Sequence, residues 1–257
     1  RFREKLKIKQ PDVLLSTHAH LNHGFFEIAR RTLGPENVRC VTYCGELYGG
    51  YGFSRHWVNP CADLFIGAVS ETCAEASKRD MPPEKNRLGG FLLKPSFFEP
   101  PAPRATREHY VVQRLGLDPQ KFILLLATGA NGANNHLSCL RTLYQAGLFV
   151  QVVALSGRND QARNRVKAWA VNHPEMPVCA LPYVEEMQVL MDSVSLLFAR
   201  PGTGTTSEAL LRSCPIIFNG MGGVMPQESI TLKYARKHGF GSIAYTPSQL
   251  AGKVESY

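Results

Sequence analysis

An alternation of short apolar runs with segments of helical spacing constrains the fold of this 257-residue chain more than any other feature. The runs are continuously apolar rather than alternately apolar and polar, which is typical of parallel strands covered on both faces. Nine predicted strands cover Asp12–Thr17, Val38–Tyr43, Leu64–Val69, Phe122–Ala127, Val150–Leu155, Val178–Leu181, Ser195–Ala199, Pro215–Asn219 and Ser242–Tyr245. Six predicted helices cover Phe25–Leu33, Glu71–Arg79, Leu137–Gln145, Gln161–Val171, Ser207–Leu211 and Gln227–His238. We therefore predict an α/β fold of repeated strand–helix units.

A proline-rich segment interrupts this alternation once. Lys94–Pro103 contains four prolines in ten residues, which excludes a helix or a central strand there. We predict a linker at 96–104 between an N-terminal domain, 1–95, and a C-terminal domain, 105–257. Since ligands bind beyond the carboxyl ends of parallel strands, we expect a cleft between facing strand ends of two Rossmann-like domains.

Charge and composition exclude several classes of protein. Half of the formal charge of +8 lies in the first nine residues, where five basic residues accompany Glu4. We interpret this basic cluster as a solvated helix end rather than as a contact with nucleic acid or an anionic membrane. The sequence also lacks an alternation of aromatic and basic residues, so we predict no nucleic-acid partner. The longest apolar stretch, Phe122–Ala127, is far shorter than the ~20 residues of a membrane span.

The cysteines and the start of the chain carry two further expectations. Seven cysteines, an odd number without any C-x-x-C pair, predict reduced and mostly buried thiols rather than disulfides or a zinc knuckle. The chain does not begin with Met, and Arg1 falls within an amphipathic helical pattern. We therefore expect further sequence before it.

A histidine-rich run follows the first predicted strand. His18, His20 and His23 lie within six residues, and the run resembles the H-x-H-x-D-H motif of metallo-β-lactamase-like hydrolases. Asn22 stands where that motif has its Asp, and a neutral amide is a poor metal ligand. A zinc site, a substrate-facing role for one histidine and a hydrogen-bonded loop are the three interpretations, of which we favour the second.

Two glycine-containing turns predict contacts with an anionic ligand. The turn after Phe122–Ala127 contains Gly129 and Gly132, which let the backbone approach a ligand at a helix N-terminus. The next strand ends in Ser156-Gly157-Arg158-Asn159 rather than in an acidic residue, which argues against NAD.

The second glycine-containing turn, which follows the predicted strand Ser195–Ala199, predicts a ligand contact more strongly than the first. After the strand ending at Ala199, a Gly/Thr segment including Gly202, Thr203, Gly204 and Thr205 opens a helix, which suits phosphate binding. Glu208, expected one turn into this helix, would either accept both hydroxyls of a ribose or act as a capping residue. No Gly-Lys-[Ser/Thr] is present, so the segment is not a P-loop.

The order of these motifs resembles the donor half of GT-B glycosyltransferases, above all monogalactosyldiacylglycerol synthases and bacterial diacylglycerol glucosyltransferases, and more distantly the GlcNAc transferase of peptidoglycan synthesis. The family pattern K-x-G-x-G-T-x-x-E-A, then P-I-I-L-N, then G-Q-E is similar to the segments here that contain Glu208, Pro215–Asn219 and Gln227-Glu228. Arg200 replaces the family's lysine, and Pro226 replaces the glycine before Gln-Glu. The likeness covers about 240 residues in the same order.

The resemblance implies a UDP-sugar donor and a set of residues that bind it. Glu208 would hold the ribose diol, and Gly202, Thr203, Gly204 and Thr205 the diphosphate. Gly157 and Arg158 would lie near the uracil, and Gln227 and Glu228 near the sugar hydroxyls. Gly129, Gly132 and Arg200 complete the expected donor site. The implied reaction inverts the anomeric carbon and needs no metal or other cofactor, because a helix dipole and N–H donors stabilise the leaving UDP.

The acceptor would be a hydroxyl group, for example that of a lipid such as diacylglycerol, with peripheral contact to the inner face of the membrane. His18 is the candidate to orient or deprotonate it, with His23, Glu46 and Trp57 on the acceptor side. The family's first glycine-rich loop and the adjacent acidic residue, another candidate base, would precede Arg1.

Two observations leave alternatives to this interpretation open. The segment 45–57 departs from the family's T-D-L-x-x-x-H-x-x-W, so it could fold over an acceptor or form a surface loop. A zinc hydrolase built on the histidine run, or a sugar-nucleotide-binding protein without catalysis, remains as an alternative function.

Overall fold

The structure, a computed structural model, describes residues 1–127 and 135–257. It divides into two compact units. The first unit comprises Arg1–Leu92 and Met225–Lys237, and the second comprises Leu93–Val224 and His238–Tyr257. The units differ from the sequence-based domains in grouping 225–237 with the first unit, whereas the sequence analysis assigns these residues to the C-terminal domain.

The first unit has a four-stranded parallel sheet. Numbered along the chain, its strands are β1 (Val13–Ser16), β2 (Arg39–Cys44), β3 (Leu64–Gly67) and β4 (Asn86–Leu88), and its helices are α1 (Phe2–Lys9), α2 (Gly24–Leu33), α3 (Ser70–Ser77) and α9 (Pro226–Lys237). The strands follow one another in the order β1-β2-β3-β4. Three of them were expected from their apolar runs. The short and partly polar β4 was not.

Packing in the first unit follows the apolar face of α2. Phe26 clusters with Cys40 of β2 and Ala62, while Ala29 packs with Leu6 of α1 and Val38. Burying these apolar surfaces against one another is the dominant favourable term in folding. The carboxyl ends of β1 and β2 are thereby fixed beside the histidine run and the segment 45–57 that follow them.

The second unit has a six-stranded parallel sheet. Its strands are β5 (Ile123–Ala127), β6 (Gln151–Leu155), β7 (Val178–Leu181), β8 (Leu196–Ala199), β9 (Ile216–Asn219) and β10 (Ser242–Ala244), and its helices are α4 (Arg104–Tyr110), α5 (His136–Gln145), α6 (Asp160–Val171), α7 (Met187–Ser193), α8 (Thr203–Leu211) and α10 (Pro247–Glu255). The spatial order is β10-β9-β8-β5-β6-β7, the arrangement of a dinucleotide-binding Rossmann fold. All six strands were predicted.

The strand order reverses between β5 and β8, and this reversal marks where a ligand is expected. Both strands are buried along their whole length. Ligands of such folds bind where the strand order reverses, so a crevice is expected beyond the carboxyl ends of β5 at Ala127 and β8 at Ala199. The sheet therefore places the carboxyl ends of these two strands at the expected binding position.

The proline-rich segment contains one short helical turn, Pro95–Phe97, before α4 begins at Arg104. Phe97 is buried within the second unit. α4 continues into a π-helical turn at Val111–Leu115. All seven cysteines are unpaired and four of them are buried, as expected.

Candidate functional site

A cavity of about 260 Å³ lies at the carboxyl ends of β5 and β6 in the second unit. Its base is formed by Ala127, Leu155 and Gly157, where these two strands end. Its walls come from the proline-rich segment, the β7–α7 connection and α8; the residues are Lys94, Phe97, Tyr183, Val184, Glu185, Met187, Thr205 and Glu208. The cavity therefore lies beyond the carboxyl end of β5, beside the position at which the strand order predicts a ligand, and α8, which follows β8, forms one of its walls.

α8 begins earlier than the sequence indicated, at Thr203 rather than Ser207. Glycine and threonine are weak helix formers, but Thr206 and Ser207 are buried, and packing fixes the first turn as helix. Gly202 is the N-cap in an extended conformation, and no side chain of the described residues caps the helix. The N–H groups of the first turn, in Thr203, Gly204 and Thr205, therefore remain available to an anion.

Glu208 lies beside the cavity at the sixth position of α8. A residue so far from the N-terminus cannot cap the helix, which removes the structural role considered from the sequence. Burial raises the pKa of its carboxyl above the usual 4.5, while the positive charge of Lys94 lowers it. A desolvated carboxylate with two acceptor oxygens suits a pair of hydroxyl donors.

The other predicted donor residues of the second unit occupy different positions. Gly157 lines the cavity in a left-handed conformation, with φ of 56°, and the neighbouring Arg158 is exposed. The Arg200 guanidinium donates to the carbonyl oxygens of Met221 and Gly223 at 2.9 and 2.8 Å, so it holds the loop after β9. Gly129 and Gly132 lie outside the described residues.

Gln227 and Glu228 lie in the first turn of α9, which belongs to the first unit. Glu228 is buried, and its carboxylate accepts a 2.8 Å hydrogen bond from the backbone N–H of Met225. The Gln227 amide lies 3.5 Å from the sulfur of Met225. The structure thus brings Gly157, Thr205 and Glu208 together at one cavity and groups Gln227 and Glu228 with the other unit.

The histidine run does not form a metal centre. Ring centroids of His18 and His20, and of His20 and His56, are 5.4 Å apart, and those of His23 and His56 are 5.7 Å apart. Within the described ranges, no group of three or more His, Cys, Asp or Glu side chains is arranged to hold a metal ion. The zinc-hydrolase alternative has no support in residues 1–127 and 135–257.

Asn22 has a structural role that explains why an amide stands at this position. Its side chain is fully buried, and its Nδ2 donates to the backbone carbonyls of His56 and Trp57 at 3.0 and 3.1 Å. A carboxylate could not donate these bonds. Asn22 therefore fastens the histidine run to the segment 45–57.

His18 is held in one tautomer by its own loop. Its Nδ1 accepts a hydrogen bond from the backbone N–H of His20 at 3.3 Å, so the proton of the neutral ring lies on Nε2. The ring is exposed. In this conformation Nε2 can donate to a substrate oxygen, whereas accepting a proton would require the Nδ1 bond to break.

The predicted acceptor-side residues Glu46 and Trp57 are in contact. The Trp57 indole donates to the Glu46 carboxylate at 3.4 Å, and the hydroxyl of Thr72 donates to the Glu46 carbonyl oxygen. Burial raises the pKa of Glu46, an effect that the bond from Trp57 opposes. His23 lies close to His56 in the same unit.

Six residues in the cavity walls were not among the predicted site residues: Lys94, Phe97, Tyr183, Val184, Glu185 and Met187. Tyr183 and Met187 follow β7, so the rule that ligands bind beyond the carboxyl ends of strands could have included them. Lys94 and Phe97 lie in the proline-rich segment, to which the sequence analysis assigned no ligand contact.

No family model matches the chain, but curated proteins and solved structures are similar to it. Monogalactosyldiacylglycerol synthase 1 of Arabidopsis thaliana is 23% identical over 257 residues, which cover 96% of this chain and 46% of that protein. The processive diacylglycerol beta-glucosyltransferase of Staphylococcus epidermidis is 26% identical over 200 residues, 77% of this chain and 49% of that protein. The chain thus spans about half the length of the curated relatives it matches.

Two solved structures share its fold. MurG of Acinetobacter baumannii has a TM-score of 0.68 at 16% identity, covering 99% of this chain and 67% of that chain. Anabaena Alr3699/HepE, in complex with UDP and glucose, has a TM-score of 0.63 at 13% identity, covering 99% and 70%. These likenesses confirm the expected GT-B-like α/β fold class.

Proposed function

We propose that this chain is part of an inverting glycosyltransferase that moves a hexose from a UDP-sugar to a hydroxyl acceptor of lipid type, such as diacylglycerol. The observation that carries the proposal is the cavity beyond β5 and β6, where Glu208 and the uncapped start of α8 meet. The relatives are glycolipid synthases by name, and one structural neighbour is in complex with UDP and glucose.

The cavity has the chemistry to recognise a nucleoside. Tyr183 offers aromatic surface to a flat base, and Gly157 allows the backbone to approach it. Glu208 would accept hydrogen bonds from the two ribose hydroxyls. Its carboxylate, which is desolvated in the free protein, would thereby gain two charge-assisted hydrogen bonds.

The start of α8 would hold the diphosphate. As the anomeric C–O bond breaks, negative charge grows on the leaving UDP, and N–H groups fixed before the reaction stabilise that charge without reorganising. We therefore expect transfer that does not depend on a metal ion. Gln227 and Glu228 of α9 would bind the sugar hydroxyls.

The acceptor side is assigned to the first unit. His18 would orient the acceptor hydroxyl from Nε2, or take its proton on Nδ1 once the bond from His20 breaks, as the oxygen attacks the anomeric carbon in line, opposite the leaving UDP. His23, Glu46 and Trp57 would complete this side. No described helix is long and apolar enough to cross a membrane. We propose cytoplasmic activity with peripheral contact at the inner membrane face.

Calorimetry and turnover with defined substrates test this function. UDP should bind more tightly than ADP or GDP, and UDP-glucose or UDP-galactose with diacylglycerol in mixed micelles should give a glycolipid whose anomeric configuration is opposite to that of the donor. Added EDTA should leave the rate unchanged. UDP binding without turnover would favour the sugar-nucleotide-binding alternative, and the absence of UDP binding would refute both.

A further inference from the structure

One buried ion pair in the second unit joins three elements that line the cavity. Arg212 immediately follows α8, and its side chain pairs with Asp192 of α7; each side chain is only 3% exposed. Arg212 Nε donates to Asp192 Oδ1 at 2.8 Å, and Nη2 donates to Oδ2. A two-point guanidinium–carboxylate contact fixes distance and orientation together.

The same guanidinium also holds the proline-rich segment. Its Nη1 donates to the backbone carbonyls of Phe97 and Glu99 at 3.2 and 2.7 Å. Asp192 contributes from its side, since Oδ2 accepts the backbone N–H of Ala102 at 3.3 Å. Each of these bonds crosses from one element to another, so none is satisfied within a single helix.

These contacts converge on the cavity although Arg212 does not line it. Glu208 lies four residues before Arg212, one turn away on the same side of α8. Phe97, whose carbonyl Arg212 binds, lines the cavity, and α7 begins at Met187, which also lines it. The base of the cavity, by contrast, is formed by the hydrogen-bonded ends of the neighbouring strands β5 and β6.

We infer that Arg212 is a positioning residue for the nucleoside cavity: with Asp192 it fixes α8, α7 and the proline-rich segment at the spacing that a nucleoside diphosphate requires. The inference rests on the proposed function for the identity of that ligand. Removing the pair would delete none of the residues that line the cavity. It would loosen the elements that carry them, and the expected effect is therefore on their spacing.

Arg212→Lys tests this role because it keeps the charge but cannot make the two-point contact and both carbonyl bonds at once. We expect UDP affinity, measured by calorimetry, to fall at least tenfold. Leu250→Ala is the matched control, because Leu250 is fully buried in the core of the same unit and does not line the cavity. It should lower stability to urea while changing UDP affinity less than twofold.

A double variant separates positioning from stability. Arg212→Met with Asp192→Leu removes both buried charges, so its stability should exceed that of Arg212→Met alone. The carbonyls of Phe97 and Glu99 stay unbonded, so UDP affinity should remain low. Recovery of native affinity together with stability would overturn the inference.

Hydrogen exchange of the ligand-free chain distinguishes failure of the inference from failure of the proposed function. Arg212→Lys should speed exchange in 95–102 and 183–193 more than Leu250→Ala does at equal loss of stability. Equal exchange in the two variants would overturn the inference. A native chain that shows no UDP binding would instead refute the proposed function and the ligand named here.

Discussion

At the scale of single residues, the cavity of the second unit is lined by side chains from segments far apart in the sequence, among them Lys94, Tyr183 and Glu208. Glu208 and Thr205 were predicted from the Gly/Thr segment, and both line the cavity. Lys94 and Tyr183 were not, because a cavity wall depends on where the chain passes in space and leaves no local pattern. The role of Asn22 also required the structure, since its partners lie more than 30 residues away.

Glu208→Ala should weaken UDP binding by about 1.5–3 kcal/mol, roughly 10- to 150-fold, because charge-assisted hydrogen bonds to the ribose are lost. Glu185→Ala is the matched control, since Glu185 lines the same cavity but is exposed. Calorimetry on both variants decides. Similar losses of affinity in the two variants would indicate a general effect of negative charge rather than a specific role for Glu208.

Glu208→Gln should reveal the cost of burying the carboxylate. Since the pKa of Glu208 is raised in the folded state, the folded chain binds more protons than the unfolded chain between the ordinary value of 4.5 and the raised value. Wild-type stability is therefore lost as pH rises through this window. Urea unfolding should show Glu208→Gln gaining stability relative to wild type across the same window.

The raised pKa of Glu208 also predicts how UDP affinity depends on pH. As the pH is lowered, the affinity of the wild type for UDP should begin to fall at a higher pH than protonation of an ordinary glutamate would cause.

His18→Ala should lower turnover while leaving UDP affinity within about threefold, or 0.65 kcal/mol, because the imidazole acts on the acceptor rather than the donor. His20→Ala serves as the control in the same exposed run. Steady-state kinetics combined with UDP titration separate the two effects. Normal turnover of His18→Ala would make His18 structural.

At the scale of elements, burial decided which predictions held. Strands β5, β6, β8 and β9 are buried along all or nearly all of their length, and their bounds match the expectation within one residue at each end. β4 was missed because Asn86-Arg87-Leu88 lacks such a run, and α8 was predicted too short because propensity understates helices that packing stabilises.

The glycine-rich segment after β2 is held against α9, and Gly52 allows the contact. Its φ is +97°, and a Cβ there would overlap the Pro226 carbonyl oxygen and lie 3.0 Å from Ser229 Oγ. Lys233 Nζ donates to the Tyr51 carbonyl at 3.2 Å nearby. Gly52→Ala should therefore cost about 1–3 kcal/mol.

Gly50→Ala is the matched control for Gly52→Ala, because Gly50 also has a positive φ, +79°, but a Cβ there meets only Lys233 Nζ at 3.8 Å. Urea unfolding should show the smaller loss of stability for Gly50→Ala. Equal losses would mean that backbone strain alone matters and that the contact with Pro226 does not.

At the scale of the whole molecule, the connectivity was harder to predict than the sheets. Both parallel sheets follow from apolar runs, but α9 packs with the first unit although second-unit segments flank it on both sides. Contacts such as the Lys237–Glu71 ion pair join residues more than 160 positions apart, and no local sequence pattern predicts such a contact. The chain therefore passes from one unit to the other three times.

This connectivity gives donor binding a distinctive exchange pattern. If UDP binds the folded chain and not the unfolded chain, as the proposed function requires, then at 100 times its Kd it should stabilise the unit that holds it by ~2.7 kcal/mol. UDP alone should slow hydrogen exchange in α8 and in the β7–α7 connection, and leave exchange in α9 unchanged.

If Gln227 and Glu228 bind the sugar hydroxyls, a UDP-sugar should also slow exchange in the first turn of α9. Gln227→Ala should reduce the affinity for the UDP-sugar but not for UDP. Protection of α9 by UDP as strong as that by the UDP-sugar would contradict the assignment of these two residues to the sugar.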